Sequence, residues 1–350
     1  MSKKVTMFMG SEKIGCYVNG NHRTVLFADG TKIKQTGHWI DFDGEGTKKW
    51  EDDDQDHFTY DFPENFDLKI TDYCDAGSDL NSKFGLCKYC HEGSSPAGKH
   101  GDLSKLDHVI ETIMPGTECA VGGGNALAHP GLVEFLTKLK NRHIVANMTV
   151  NQRHINKYYS LLKQLVDDKL VHGVGVSLVD STDKDSIEKA VSLGPNVVFH
   201  VIAGIFSEED WGNIDWTGKK MLVLGYKDLR RGHALMEKEE AEIKGRILWM
   251  KAHLHEISKV CKCLSFDCLG IEQLDVQYTL CMTDEEYYAR FQGSDTDVFD
   301  KDGNITCATM YIDLPNMQVA RMSTAALDKR FPFTGTESIS ELLKITTQGW

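Results

Sequence analysis

The sequence of 350 residues contains no apolar run long enough to cross a membrane, which takes about eighteen residues. Its opening stretch, MSKKVTMFMGSEK, has no extended apolar segment of the kind that directs export. A cytoplasmic chain is therefore the expectation. Positive charge is also scarce: 39 Lys and Arg face 52 Asp and Glu, a formal net charge of −13. Extended binding to nucleic-acid backbones, which needs a basic footprint, is excluded on that ground. Internal repeats and low-complexity tracts are absent, which removes solenoid and linker-like architectures.

What is present is a globular composition, 41% hydrophobic and 26% charged, in a chain long enough to bury a full core. One large domain with appendages, or two domains, fits that length. Ten cysteines in a chain without an export signal read as reduced thiols, some of them available as metal ligands. The acidic run EDDDQDHFTYDFPE reads as a solvated loop.

Hydrophobic periodicity divides the chain. Residues 1–62 read as a small β-rich extension, because TMFMG, IGCYVNGNHRTVLFADGTKI and HWIDFDGEG carry turn signals between alternating apolar residues. From Phe66 the pattern becomes strand, then helix, six times over within residues 63–282: FDLKITDYC before LSKLDHVIETIM, ECAVGGG before PGLVEFLTKLKNR, and so on to KMLVLGY before a long helix from Ala234. These strands read as near-continuous apolar runs, the pattern of parallel strands buried on both faces. An open doubly wound sheet and a barrel both satisfy the pattern, and in either the chemistry belongs at the carboxyl ends of the strands. Residues 283–350 read as an α/β cap, with a hairpin around ATMYIDLPNMQVARMS and a final helix after Gly335.

The unusual residues cluster at those carboxyl ends. Cys74, Cys87 and Cys90 follow the first strand, Gly122, Gly123, Gly124 and Asn125 the second, Asn151 the third, and Ser177 ends the fourth. Structural zinc wants four ligands, usually as two close pairs, and His91 is the only other candidate in the segment. Three thiolates suit an iron–sulfur cluster better, with one iron left open to an outside ligand.

Here the residues carry a resemblance. The triplet ending in CKYCH, the turn VGGGNALAHPGL, the strand end NMTVN and the apolar FHVIAGIF together resemble the radical S-adenosylmethionine (SAM) enzymes, over roughly Phe66 to Gly225. The resemblance implies a partial (β/α)6 barrel of the TIM type with the β extension before it and the cap after it. It implies that Cys74, Cys87 and Cys90 hold a [4Fe–4S] cluster whose open iron chelates SAM. Reductive cleavage of SAM then yields a 5′-deoxyadenosyl radical that abstracts a hydrogen atom from substrate. Gly122 to Gly124, Asn125, Asn151 and Ser177 become SAM contacts, and an electron donor such as flavodoxin or ferredoxin becomes a partner. Two departures stand out. Twelve residues separate Cys74 from Cys87, more than the family's common spacing, at a loop-closure cost of only about 1 kcal/mol. Asn125 and Ala126 also stand where the family usually has an acid followed by proline.

The substrate is less legible. GYKDLRRGHAL places Lys227, Arg230, Arg231 and His233 after the sixth strand, where they suit a carboxylate or phosphate. A small or nucleotide-like substrate is the first expectation. The alternative is a peptide, undergoing epimerisation or crosslinking, and a non-enzymatic iron–sulfur or zinc-binding protein is a third reading. Cys261, Cys263 and Cys268 form a C-x-C-x4-C group that offers a second cluster or a hydrogen donor, against the plainer reading of core thiols. The stretch DTDVFDKDGN lacks the register of a calcium loop and reads as a turn.

Overall fold

A computed structural model describes residues 13–27, 32–53, 58–76, 85–291, 298–299 and 305–347. The expected strand at TMFMG, the centre of the acidic run and most of the DTDVFDKDGN turn lie outside these residues.

Strands β1 (Lys13–Asn19), β2 (His22–Phe27), β3 (Lys32–Asp41) and β4 (Lys48–Asp52) form an antiparallel sheet in chain order. The turn between the first two is the expected Asn-Gly, with Gly20 at φ +57°. A second sheet of ten strands carries the rest of the fold. Within it β5 (Asn65–Thr71), β6 (Glu118–Gly123), β7 (Val145–Asn151), β8 (Gly173–Ser177), β9 (Val197–Ile202), β10 (Lys220–Leu224) and β11 (Cys263–Phe266) pair in parallel, each with the next. The intervening helices are α1 (Asp107–Thr112), α2 (Leu132–Asn141), α3 (Gln152–Asp167), α4 (Lys184–Ser192), α5 (Glu208–Asn213) and α6 (Arg231–Val260), the last interrupted at Glu239. Three short helices, α7 (Cys268–Leu274), α8 (Val276–Thr279) and α9 (Asp284–Arg290), follow.

The C-terminal region returns to the start of the sheet. After a ribbon of β12 (Val298–Phe299) and β13 (Ile305–Thr306), β14 (Thr309–Asp313) pairs in parallel with β5. The expected hairpin is β14 with β15 (Gln318–Ala320), extended by β16 (Phe331–Pro332), and α10 (Ile339–Thr347) packs on α1. Its amide at Ile339 donates to Thr112 Oγ1 at 2.9 Å.

Strand order from β5 to β11 runs in one direction, so this seven-stranded parallel run has no switch point and is not doubly wound; the order reverses only where β14 adds on the far side of β5. Right-handed crossovers between successive neighbours put the helices on one face. Val174 and Val176, Phe199 and Val201, and Met221 and Val223 bury themselves against that layer. The alternate residues, including Thr149, Asn151, Ser177 and His200, stay partly accessible on the other face. This differs from the expectation of burial on both faces: the second face mixes polar residues with apolar ones such as Val198, Ile202 and Leu222 and is partly accessible.

The antiparallel sheet docks at the amino ends of the parallel strands. His22 Nε2 lies 3.4 Å from Glu64, which precedes β5, and Lys32 lies 3.7 Å from Glu118 at the start of β6. Asn19 Oδ1 accepts from the amides of Asp61 and Phe62 at 2.7 and 2.9 Å, and Leu26 packs where a side chain at Gly116 would sit. The described part of the extension therefore lies at the end of the sheet opposite the cysteines.

The core continues between the sheet and its helices. Leu136 of α2 is fully buried there beside Phe135 and Leu139. Leu136→Ala is expected to cost about 2–5 kcal/mol through lost transfer energy and a residual cavity. The check is the denaturant midpoint at unchanged slope.

Candidate active site

Cys74 lies three residues beyond the end of β5, on a segment clasped from two sides. The returning chain pairs with it: Asp72 N donates to Lys99 O (2.8 Å), Cys74 N to Ser95 O (3.0 Å) and Ser95 N to Asp72 O (3.2 Å). On the other side the turn after β6 closes in, with Gly124 N donating to Thr71 O (2.8 Å) and Asn125 N to Tyr73 O (2.6 Å). Both approaches are glycine-dependent. A β-carbon at Gly98 would stand 2.1 Å from Asp72 O, and one at Gly124 2.1 Å from Tyr73 O. Between them Gly123 turns at φ +111°, in the region that favours glycine.

The three thiols are half-buried and near enough to repel one another as thiolates. Burial, then Cys87, Cys90 and Asp75, pushes the Cys74 thiol up to about 11. Burial and Cys90 also raise Cys87, opposed by Arg153, Asn151 and Arg231. The Cys87–Cys90 turn is closed by Cys90 N donating to Cys87 O at 3.3 Å. Tyr89, the aromatic before the third cysteine, packs with Ile202 against the small cluster of Tyr226, Leu235 and Ile243. Arg231, at the start of α6, secures the segment by donating from Nε to Cys87 O (2.9 Å) and from its terminal nitrogen to Ser94 O (2.8 Å).

The amino end of α3 supplies two further contacts. Asn151 Nδ2 donates to Cys87 Sγ at 3.4 Å, and His154 Nε2 lies 3.8 Å from Cys74 Sγ. Burial drives His154 down to about 4, so its ring is neutral near pH 7. Asp75 gathers Asn125 Nδ2 (2.8 Å) and Lys157 (2.6 Å), with His154 Nδ1 at 3.5 Å. Asn125 is thus committed to Asp75 through its nitrogen. Ser177 ends β8 in register with His200, on the open face.

A buried cation beside the cysteines went unremarked in the sequence. Lys69 is 2% exposed and contacts Asp72 (2.6 Å), Glu92 (2.9 Å) and Asp313 (3.3 Å). A lysine inside the apolar strand FDLKIT was the available signal, since such a charge is buried only with partners. Glu92 also meets His91 at 3.3 Å and accepts from the Tyr311 hydroxyl at 3.4 Å. Lys69, Asp72, Glu92, Ser95, Arg230 and Asn316 border a cavity of about 370 Å3, within the range of small-ligand sites.

The basic cluster is largely engaged by the protein itself. Arg231 holds the cysteine segment, Lys227 reaches Ser323 Oγ at 3.5 Å, and His233 pairs with Asp228 at 2.8 Å. Arg230 donates to Glu92 O and lies 3.7 Å from the Glu92 carboxylate, yet its side chain remains 45% exposed at the cavity. Its backbone at φ +50° is strained for a non-glycine residue, and the contacts to Glu92 offset that cost. The late cysteines do not gather: Cys261 and Cys263 lie at the amino end of β11, and Cys268 lies past its carboxyl end. Cys307 is buried beside Thr309, and Cys281 is exposed.

Among the described residues no group of three His, Cys, Asp or Glu side chains converges to hold a single metal ion. An iron–sulfur cluster spreads its thiolates over separate irons and needs no such convergence. The donor set fits one. Three half-buried thiols lie on the segment after β5, and no atom lies within 4 Å of where a β-carbon at Gly122 would project. That leaves room beside the thiols for a ligand carried by the glycine turn.

Three thiols at the carboxyl end of the first parallel strand thus face a glycine turn in a mixed α/β fold. No protein-family model matches the chain, and neither does any curated protein sequence. Among solved structures, Streptococcus suis SuiB bound to the precursor peptide SuiA is similar at a TM-score of 0.53 and 13% identity, over 83% of this chain and 66% of that one. SuiB bound to S-adenosylmethionine is similar at 0.50 and 13% identity, over 76% and 61%. The chain thus spans slightly less than two thirds of SuiB, and the likeness is one of fold: mixed α/β with a large parallel sheet. Among the described residues no helix is long and apolar enough to cross a membrane.

The Lys69 network has a pH signature. Burial would raise the Glu92 carboxyl, but His91 and Lys69 hold it far below its usual 4.5. Burial would lower Lys69, but Glu92, Asp313 and Asp72 raise it above its usual 10.5. Glu92's contribution is complete above its unfolded value and lost as pH falls through the depressed one. That of Lys69 is complete below its unfolded value and lost as pH rises through the raised one. Glu92→Gln is expected to cost on the order of 3 kcal/mol at pH 7 by stranding part of a buried charge. It should also flatten the acid limb of the stability curve, as read by denaturant titrations from pH 3 to 9.

Proposed function

We propose that this chain is a radical SAM enzyme that acts on a peptide. The observation that carries the reading is the gathering of Cys74, Cys87 and Cys90, half-buried, against the glycine turn at the carboxyl end of β5. When bound, a [4Fe–4S] cluster and SAM supply a 5′-deoxyadenosyl radical able to abstract hydrogen from an unactivated carbon. The three cysteines hold the cluster, and Gly122, Gly123, Gly124, Asn125, Asn151 and Ser177 line the place for SAM. A flavodoxin or ferredoxin supplies the electron.

Contacts across the mouth support a partial barrel. In a flat sheet β10 would run about 24 Å from β5, five strand spacings away. Yet Arg230, after β10, reaches Glu92, which contacts Lys69 of β5, and Lys227 reaches Ser323 beyond β15. A curled sheet brings these loops together and turns its partly accessible face inward, which is the arrangement favoured here. Residues on that face then exclude bulk water from one side of the site, and the cysteine segment roofs it.

The peptide reading is preferred to a small nucleotide-like substrate for two reasons. SuiB, of similar fold, was solved with its precursor peptide. The basic cluster that favoured a phosphate is mostly committed to protein groups, and Arg230 alone keeps an exposed guanidinium at the cavity. Arg230 is the residue assigned to substrate, with Arg231 and Lys227 holding the roof beside it.

The reading is tested by anaerobic reconstitution with iron and sulfide, followed by SAM and dithionite. 5′-Deoxyadenosine is expected from the intact chain and none from the triple variant Cys74→Ala, Cys87→Ala, Cys90→Ala. Zinc co-purifying without cluster formation would establish the structural-metal alternative instead.

A further inference from the structure

The environments of the three thiols are not equivalent, and the difference concentrates on Cys87. Asn151 is the last residue of β7 and caps α3, its Oδ1 accepting from Arg153 N at 3.1 Å. That bond settles which end of the amide faces the sulfur, because exchanging the two atoms would set one N–H against another. Nδ2 therefore donates to Cys87 Sγ. Arg153 and Arg231 both favour the charged form of Cys87, and the amino end of a sixteen-residue helix points the same way. Arg153 is itself anchored to Gly85 O at 2.5 Å. Cys74 has one backbone hydrogen bond, from Ala76, that favours its charged form, but no cation acts on it directly: the nearby Asp75 carboxylate opposes its charged form and is itself paired with Lys157 at 2.6 Å. The cations Arg153 and Arg231 thus act on Cys87, whereas the cation near Cys74 is spent on Asp75.

We infer that Asn151, supported by Arg153, is a positioning residue that raises the reduction potential of the cluster through Cys87, an inference resting on the cluster site proposed above. A reduced cluster carries one more negative charge than the oxidised one. An N–H donor and cations at a ligand sulfur stabilise that extra charge more than they stabilise the oxidised state. The entering electron is therefore favoured from the α3 side, without any change in the ligands.

The competing explanation is that Asn151 only caps the helix, and Asn151→Asp separates the two roles. Aspartate keeps an oxygen for Arg153 N and remains a good cap, but it has no N–H for the sulfur and adds a negative charge; Asn151→Ser, also a good cap but neutral and too short to reach the sulfur, must shift the midpoint the same way for the lost N–H to be the cause. The experiment is an EPR-monitored redox titration of the reconstituted full chain without SAM, alongside iron and sulfide content and far-UV circular dichroism. Asn151→Asp is expected to shift the midpoint to a more negative potential with full cluster content and unchanged helicity. Arg153→Gln is expected to shift it the same way by less, and it decides the matter if Asn151→Asp fails to load. An unshifted midpoint in a fully loaded Asn151→Asp, or in Arg153→Gln where that variant must decide, overturns the inference and leaves the cluster site standing. An intact chain that binds no cluster overturns both.

Discussion

One ammonium group joins the parts of this molecule that matter most to one another. Lys69 Nζ sits near the carboxyl end of β5, 2% exposed, and its three carboxylate partners come from three places: Asp72 before Cys74, Glu92 after Cys90, and Asp313 at the end of β14. A buried charge is tolerable only when fully paired, so each partner is as necessary to Lys69 as Lys69 is to it. The departure and return of the cysteine segment and the C-terminal strand are thereby held in a single arrangement. The glycines at 98 and 124 let that segment lie close enough for the arrangement to close.

The network also explains why the cysteine segment is fastened by distant pieces of the chain. Glu92 is held by Lys69 below and approached by Arg230 from the loop after β10, while Arg231 grips the carbonyls of Cys87 and Ser94. Charge that looked available for a ligand in the sequence is used to fasten the segment carrying two of the thiols. This is consistent with a site whose chemistry is delegated to a bound group and whose side chains mainly hold, orient and enclose.

The parallel strands and helices were legible because their periods differ and each unit is local. The carboxyl-end position of the cysteines and glycines followed from the same pattern. What sequence could not supply were partners. Lys69 stood out as a charge in an apolar strand, but nothing local names Asp313. Arg230 and Arg231 read as a free basic cluster, since a sequence displays charges without showing what neutralises them. The extension's strands were visible, while its seat at the amino ends depends on pairs such as His22 with Glu64 and Lys32 with Glu118. Alternation on the strands was masked by small and apolar residues on the partly accessible face, such as Val198 and Ile202 in β9, which made that face look like a second core.

The pairing of β14 with β5 bears on how the chain folds. The two strands meet through groups as far as 244 residues apart, whereas the parallel pairs from β5 to β11 each join successive units. Such a long-range contact forms slowly, because most of the chain must be ordered before closing that loop is rewarded. Until it forms, β5 presents an open edge, and the Lys69 ammonium lacks one of its three counter-charges. The strand β14, made long after β5, thus completes the environment of its neighbour, and the cysteine segment reaches its final shape only when the two have paired.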